Sequence, residues 1–306
     1  MRLFFNANVG VEYIICRKAS RNEVYSMESY AYYNGIFGKR DEIRLPLSDR
    51  TIFFGDAVYD AALFANGNIV WENEHIDRFF KNCETLCIPV NFTKDELKAI
   101  LRETAKKSNF STSFIYFQLS RNLENRRHSA HGCQSSNLLI TVEKFTLDNS
   151  EKKLSLITFP DKRYEYCNIK TVNLLPSVLA ASEAERKECD EAVFVRDGIV
   201  TECSRSNIFI LKDGKVKTHP ADNRILPGIA RQKIILACKR LGIEVSETSF
   251  PESELFDADE ILVSCTTKLC LGATSLNGSK IGDKCPEIRR KIYGELYKDL
   301  VVFGSN

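Results

Sequence analysis

The stretch EAVFVRDGIVTECSRSNIFILKDGKVKTH (191–219) decides the fold. It reads as two strand pairs in succession. EAVFV and IVTE flank Asp197-Gly198, and NIFIL and KVKTH flank Asp213-Gly214. An Asp-Gly pair between apolar runs signals a tight hairpin, because both central residues must adopt a positive φ. The same signal recurs earlier, in AYYNGIFG (31–38) around Asn34-Gly35 and in AVYDAALFANGNIVW (57–71) around Asn66-Gly67. SFIYFQLSR (113–121), NLLITVEKF (137–145), LSLITF (154–159) and DEILVSCT (259–266) add strands by their β-branched and aromatic content.

Helices punctuate these hairpins. Glu74 to Leu86 places Ile76, Phe79, Phe80, Cys83 and Leu86 at helical spacing. Thr93 is an N-cap candidate for KDELKAILRETAKK (94–107). SVLAASEAERKE (177–188) is rich in helix formers, and IARQKIILACKRLG (229–242) ends on Gly242, a residue suited to a helix C-terminus. Hairpins in both halves give an α+β chain rather than strict strand-helix-strand alternation. Neither GxGxxG nor GxxxxGK[ST] occurs, so the nucleotide-binding loops those motifs build are not expected. The polar run TLDNSEKK (146–153) is the linker candidate between a smaller domain over 27–145 and a larger one over 154–306. Residues 1–26, ahead of Met27, read as an N-terminal extension of unknown role.

Composition narrows the partners. The 306 residues are 43% hydrophobic and 27% charged, with a formal net charge of only +2, so the basic surface that neutralises nucleic-acid phosphates is not indicated. No apolar run reaches membrane-spanning length. Eleven cysteines are scattered without a CxxC pair, and no metal site is expected. Cys83 and Cys87, four apart, are expected on one helix face. The count reads as reduced, mostly buried thiols in a reducing compartment, the cytoplasm.

Several residues carry candidate chemistry. Lys170, in CNIKTVNLLP (167–176), has the apolar neighbours Ile169 and Val172, surroundings that favour the uncharged amine an imine-forming lysine needs. Glu202 follows a hairpin strand, and a carboxylate there can keep a ring nitrogen protonated. Ser204, Ser206, Thr266 and Thr267 are short hydroxyl donors in loops. ILPGIAR (225–231) puts Gly228 ahead of a helix whose first N–H groups, those of Ile229 and Ala230, can bind an anion. Arg78 stands on the apolar-striped helix and can pair with a phosphate. Arg126, Arg127 and His128 cluster in an aperiodic stretch suited to holding a carboxylate. Taken singly, each also fits an ordinary surface, turn or capping role.

Their order and spacing together resemble the class IV, or fold-type IV, aminotransferases, and among them the D-amino-acid type, from about Tyr30 to near Lys298. The motifs that carry this are DRTIFFGDAVYD (49–60), ENEHIDRFF (72–80), CNIKTVNLL (167–175), TECSRSN (201–207), THPADNRILPGIAR (218–231) and ILVSCTTK (261–268). The resemblance implies a two-domain fold whose larger C-terminal domain holds a mixed, barrel-like sheet. It implies pyridoxal 5'-phosphate, linked through an imine to Lys170, with Glu202 on the pyridine nitrogen. Arg78, Ile229, Ala230, Thr266 and Thr267 would hold the phosphate, and Tyr59, Arg126 and His128 the substrate carboxylate. It further implies a ping-pong exchange between a D-amino acid of the D-alanine type and a 2-oxo acid such as 2-oxoglutarate. The implied homodimer would carry Arg126 and His128 into the partner's site.

Three positions depart from the family pattern. Ala57 replaces a usual glycine, Cys203 stands where glycine is common after the pairing glutamate, and Arg127 replaces a small residue. Branched-chain L-aminotransferases share the cofactor motifs but not an Arg-x-His pair. Aminodeoxychorismate lyases carry a threonine that AVYDAALF (57–64) lacks. A catalytically silent cofactor-binding protein is the remaining alternative.

Overall fold

A computed structural model describes residues 29–123 and 125–301. The expectation for residues 1–26 lies outside the described residues. The first half of the chain forms β1 (Ser29–Tyr33), β2 (Ile36–Lys39), the one-turn helix α1 (Thr51–Phe54), β3 (Ala57–Ala65), β4 (Asn68–Ile69), α2 (Glu72–Thr85), α3 (Lys94–Ser108), β5 (Thr112–Arg121) and β6 (Ser136–Lys144). Their six strands make one antiparallel sheet in the order β2-β1-β6-β5-β3-β4. Asn34-Gly35 and Asn66-Gly67 sit in its two hairpin turns with the positive φ values their sequence predicts. Helices α2 and α3 cover one face, burying Ile76, Phe79, Cys83, Leu97 and Leu101 against Ile115, Phe117 and Ile140. Thr93 caps α3 through a reciprocal capping box with Glu96.

The second half continues with β7 (Lys153–Pro160), α4 (Leu175–Arg186), β8 (Glu191–Arg196), β9 (Ile199–Cys203), β10 (Asn207–Lys212), β11 (Lys215–Thr218) and α5 (Ile229–Arg240). Beyond it come β12 (Val245–Glu247), β13 (Phe250–Pro251), α6 (Ser253–Asp257), β14 (Glu260–Ser264), β15 (Leu271–Leu276), β16 (Ser279–Lys280) and α7 (Pro286–Val301). The sheet runs β12-β11-β10-β14-β15-β7-β8-β9-β13, with β16 paired to β15, and mixes parallel and antiparallel neighbours. The first sheet uses no strand after Lys144 and the second none before Lys153. From that partition we propose the 146–153 segment as the linker between two domains, its last residue, Lys153, already opening β7.

The connection between β9 and β10 forces the second sheet to curl. Only residues 204–206 join them, yet β14, β15, β7 and β8 lie between them in hydrogen-bonded order. In a flat sheet five strand spacings would hold them about 24 Å apart. Four extended residue steps reach only about 14 Å. The sheet therefore wraps into a half-barrel, and Asn207 at the start of β10 donates to Glu202 on β9 at 3.0 Å. The core inside includes Val193, Phe209, Leu262 and Leu271, closed by Ile234 of α5 and Ile292 of α7.

The loop between β7 and α4 crosses to the first sheet. Tyr59 donates its N–H to the Lys170 carbonyl at 2.9 Å, and Val172 donates to the Ala57 carbonyl at 3.3 Å. Ala57 is buried and keeps an ordinary negative φ, so alanine replaces the family's glycine without strain. Lys170 is thereby held where the two sheets meet.

The cysteines differ in part from expectation. Helix α2 ends at Thr85, so Cys87 leaves the helix with φ 51° and is exposed rather than sharing a face with Cys83. Of the ten thiols among the described residues, all are free, but only Cys83, Cys203, Cys238 and Cys270 are buried. The rest stand on strand ends and loops, where a small side chain needs no burial.

Phe117 is fully buried and packs its ring 5.0 Å from that of Phe79 on α2. Phe117→Ala is expected to destabilise the protein by about 3–5 kcal/mol, read from denaturant midpoints at unchanged slope.

Candidate active site

A cavity of about 640 Å³ lies between the two sheets. Lys170, Glu202, Arg78, Ile229, Ala230, Thr266, Thr267 and Tyr59 all line it. These residues come from β3, α2, the β7–α4 loop, β9, the start of α5 and the loop after β14, so only the folded chain brings them together.

Lys170 places its Nζ 4.3 Å from the centre of the Tyr59 ring, which is itself stacked on Tyr116. Glu202 is buried, and both of its oxygens are held. Arg163 donates to Oε1, Asn207 donates to Oε2 at 3.0 Å, and the Leu226 N–H reaches both oxygens at 3.1 and 3.2 Å. Burial pushes its carboxyl up to about 7, against the opposing pull of Arg163, the Leu226 N–H and Lys170. A carboxylate so strained in its charge is a ready partner for a further cation inside the cavity. Asp161 holds Arg163 in turn, through Oδ1 and Oδ2 each at 2.9 Å, and the Arg163 guanidinium lies over the Phe194 ring at 4.4 Å.

Arg78 is gripped from behind. Its Nε and Nη2 each donate to Asp60 at 2.8 Å, its Nη1 donates to the Pro227 carbonyl at 3.2 Å, and His75 Nδ1 meets Asp60 at 2.7 Å. Burial works to raise the Asp60 carboxyl, but Arg78 and His75 outweigh it and hold it well below the usual range. Burial keeps His75 below its ordinary value despite Asp60. Helix α5 opens at Gly228 with no side-chain cap, so the N–H groups of Ile229 and Ala230 are free of a capping partner at the cavity wall. A side chain at position 228 would collide with Oδ1 of Asn207, which explains the glycine.

The remaining expected residues lie elsewhere in this chain. Arg126 and His128 are exposed and do not line the cavity. The Arg126 guanidinium lies over Phe53 and Phe54 at 5.5 and 5.3 Å, and His128 packs edge-on to Phe54 at 5.4 Å. Arg50 anchors this loop by donating to the Arg127 and His128 carbonyls at 2.6 and 2.9 Å, while Asp56 holds Arg50 at 2.7 Å. The loop backbone is fixed and its side chains face outward. Ser204 and Ser206 donate to buried Glu191, the latter at 3.0 Å, and Lys268 pairs with the same carboxylate at 2.8 Å. Cys203 is buried and its N–H donates to the Ser206 carbonyl at 2.7 Å. Asp60, Arg163, Asn207 and Glu191 were not singled out from sequence. A buried polar residue on a strand is visible only once the partner that satisfies it is in place.

A model of the amino-transferase class IV family matches residues 57–276. The D-alanine aminotransferase of Listeria monocytogenes serotype 4b is 35% identical over 269 residues, covering 86% of this chain and 93% of the relative. That of Bacillus licheniformis is 32% identical over 83% of this chain and 90% of the relative. The branched-chain amino acid aminotransferase of Escherichia coli shares the fold at a TM-score of 0.76 and 23% identity, covering 87% of this chain and 92% of that one. The T.th. branched-chain amino acid aminotransferase complexed with N-(5'-phosphopyridoxyl)-L-glutamate does so at a TM-score of 0.79 and 20% identity, covering 90% and 97%. The fold and site thus define a class, and the chain belongs to the class IV aminotransferases, enzymes that use pyridoxal phosphate to exchange amino groups between amino acids and 2-oxo acids. The cavity fits that cofactor: it offers a lysine amine, a buried carboxylate in need of a cation, and an uncapped helix start beside a guanidinium.

The raised Glu202 carboxyl has a consequence for stability. Between its ordinary 4.5 and about 7 the folded state binds more protons than the unfolded state. Glu202 therefore contributes a loss of stability to the cofactor-free protein as pH rises through that window, and its contribution levels off above it. Glu202→Gln removes this slope. Denaturation at about pH 5 and about pH 8 is expected to show wild type losing roughly 2–4 kcal/mol more than the variant over that span.

Proposed function

We propose that the chain transaminates D-amino acids of the D-alanine type with a 2-oxo acid such as 2-oxoglutarate, in alternating half-reactions. The observation that carries the reading is the single cavity in which Lys170, Glu202, Arg78 and the start of α5 converge from distant parts of the chain. Bound pyridoxal phosphate supplies an aldehyde that takes the amino group and a ring that accepts the electron pair left by the α-proton. Lys170 would be the residue that holds that aldehyde, and its Nζ is the amine in the cavity that would move the α-proton. Glu202 would keep the ring nitrogen protonated, and Arg163 with Asn207 holds its carboxylate in position. Arg78, the N–H groups of Ile229 and Ala230, and Thr266 and Thr267 hold the phosphate. Tyr59 bounds the substrate side of the cavity beside Lys170.

Arg126 and His128 are assigned to the substrate carboxylate of a second copy, so the working unit is a homodimer. Two observations support this. Both side chains are exposed and line no part of their own cavity, while the loop backbone is clamped by Arg50. Beside it Ile52 and Phe53 of α1 and Leu175, Val178 and Leu179 of α4 form exposed apolar surface, joined where Asn173 donates to the Gly55 carbonyl at 2.9 Å. The preference for D-substrates rests on this Arg-x-His pair and on the relatives named D-alanine aminotransferase at 31–35% identity. The branched-chain enzymes match in fold at 20–23% identity, which speaks for the scaffold only. No helix among the described residues is long and apolar enough to cross a membrane. The free thiols favour a reducing compartment, the cytoplasm.

The test is a panel of D-alanine, L-alanine, D-glutamate, L-leucine and aminodeoxychorismate with 2-oxoglutarate as acceptor. The reading predicts kcat/KM for D-alanine at least about tenfold above that for L-leucine. Faster turnover of L-leucine, or lyase activity on aminodeoxychorismate, contradicts it.

A further inference from the structure

One guanidinium on the cavity wall has no part in the roles above. Arg205 stands in the turn between β9 and β10 and is among the residues that line the cavity. Its Nε lies 3.6 Å from Glu191, a carboxylate already paired with Lys268 at 2.8 Å and bonded by Ser204 and Ser206. One buried negative charge therefore faces two cations, and the group keeps an excess positive charge at the wall. Glu191 also ties the 204–206 turn to Lys268, just past the Thr266–Thr267 loop, so the base of Arg205 is fixed although its side chain is 65% exposed. No hydrogen bond from Arg205 to a protein acceptor is present among the described residues, which leaves its two terminal nitrogens open.

Most of the other charges that line the cavity are paired. Arg78 is neutralised by Asp60, Arg163 by Asp161 and Glu202, and Glu143 by Arg40. Lys144 also lines the cavity without an acid partner among the described residues, but it belongs to the first sheet, at the end of β6. Substrate and cofactor together bring a phosphate, which has Arg78 and α5, and an α-carboxylate, which has its own assigned partners. An unused guanidinium in the same space suits a third anion, and a guanidinium binds a carboxylate through two parallel hydrogen bonds.

We propose that Arg205 binds the distal carboxylate of dicarboxylic substrates, making it a specificity-determining residue for acidic amino acids and their 2-oxo acids. The proposal rests on the transaminase reading of the cavity, and it does not depend on the handedness of the amino acid.

The holoenzyme is compared as wild type, Arg205→Ser, Arg205→Lys and Lys144→Ser. KM and kcat are measured for 2-oxoglutarate against pyruvate as acceptors, and for glutamate against alanine in both D and L series. Cofactor content is read from absorbance. For Arg205→Ser the ratio of KM for 2-oxoglutarate to KM for pyruvate is expected to rise about two- to fivefold, the range for one largely exposed ion pair. The kcat ratio and cofactor content should hold, Arg205→Lys should recover part of the loss, and Lys144→Ser should leave the ratio unchanged. An unchanged ratio in Arg205→Ser, equal losses on both acceptors, loss of cofactor, or a shift that follows Lys144 instead would overturn the proposal. A wild type that prefers L-substrates would contradict the D-amino-acid reading alone, because the acceptor ratio is measured in either series.

Discussion

The structure turns on a carboxylate kept out of water. Glu202 is buried at the meeting of β9, β10 and the segment ahead of α5, and such a group survives only if its charge is matched by donors. Arg163, Asn207 and the Leu226 N–H supply them, and each comes from a different piece of the chain. The curl of the second sheet is what brings these pieces within reach. Even so, burial outweighs the donors and leaves the carboxyl raised to about 7, so the site still favours one more positive charge. A protonated ring nitrogen is the cation the family's cofactor offers.

Around that carboxylate the cavity is assembled from paired charges. Asp60 holds Arg78, Asp161 holds Arg163, and Glu191 holds Lys268. Each of these three cations thus has an acid behind it, which fixes its position before any substrate arrives. This is preorganisation in the electrostatic sense, because little reorientation of these groups remains when an anion binds. Lys170 is placed differently, by two backbone hydrogen bonds from its loop to β3 rather than by a counter-ion. An amine held through its backbone keeps its side chain free to move between partners.

Much of the scaffold was legible in the sequence because its signals are local. Asn34-Gly35, Asn66-Gly67, Asp197-Gly198 and Asp213-Gly214 each mark a turn that only a few residue pairs can make, and the structure puts a positive φ at all eight positions. Thr93 likewise announces a helix start, and Glu96 completes its capping box in the structure. The order of the second sheet was not legible, since β15 pairs with β7 across more than a hundred residues and no short pattern encodes that choice. Of the site, Lys170, Glu202 and Arg78 could be named from motif spacing, and the fold gathers them in one cavity. Their supports Asp60, Arg163 and Asn207 look like ordinary polar residues until burial shows that they must be paired. Arg126 and His128 sit at the spacing that suggested them, yet in the fold they are exposed, pack on Phe53 and Phe54 and line no part of their own cavity, a placement that no local pattern encodes.

The account stands on Lys170 as the lysine that bonds the cofactor, opposite Glu202. Reducing the cofactor-loaded protein with borohydride and mapping the pyridoxyl-labelled peptide reads this directly. The account predicts one label, on the peptide that carries Lys170. A label on Lys268 or Lys144, the other lysines in or beneath the cavity, or no label at all would contradict it.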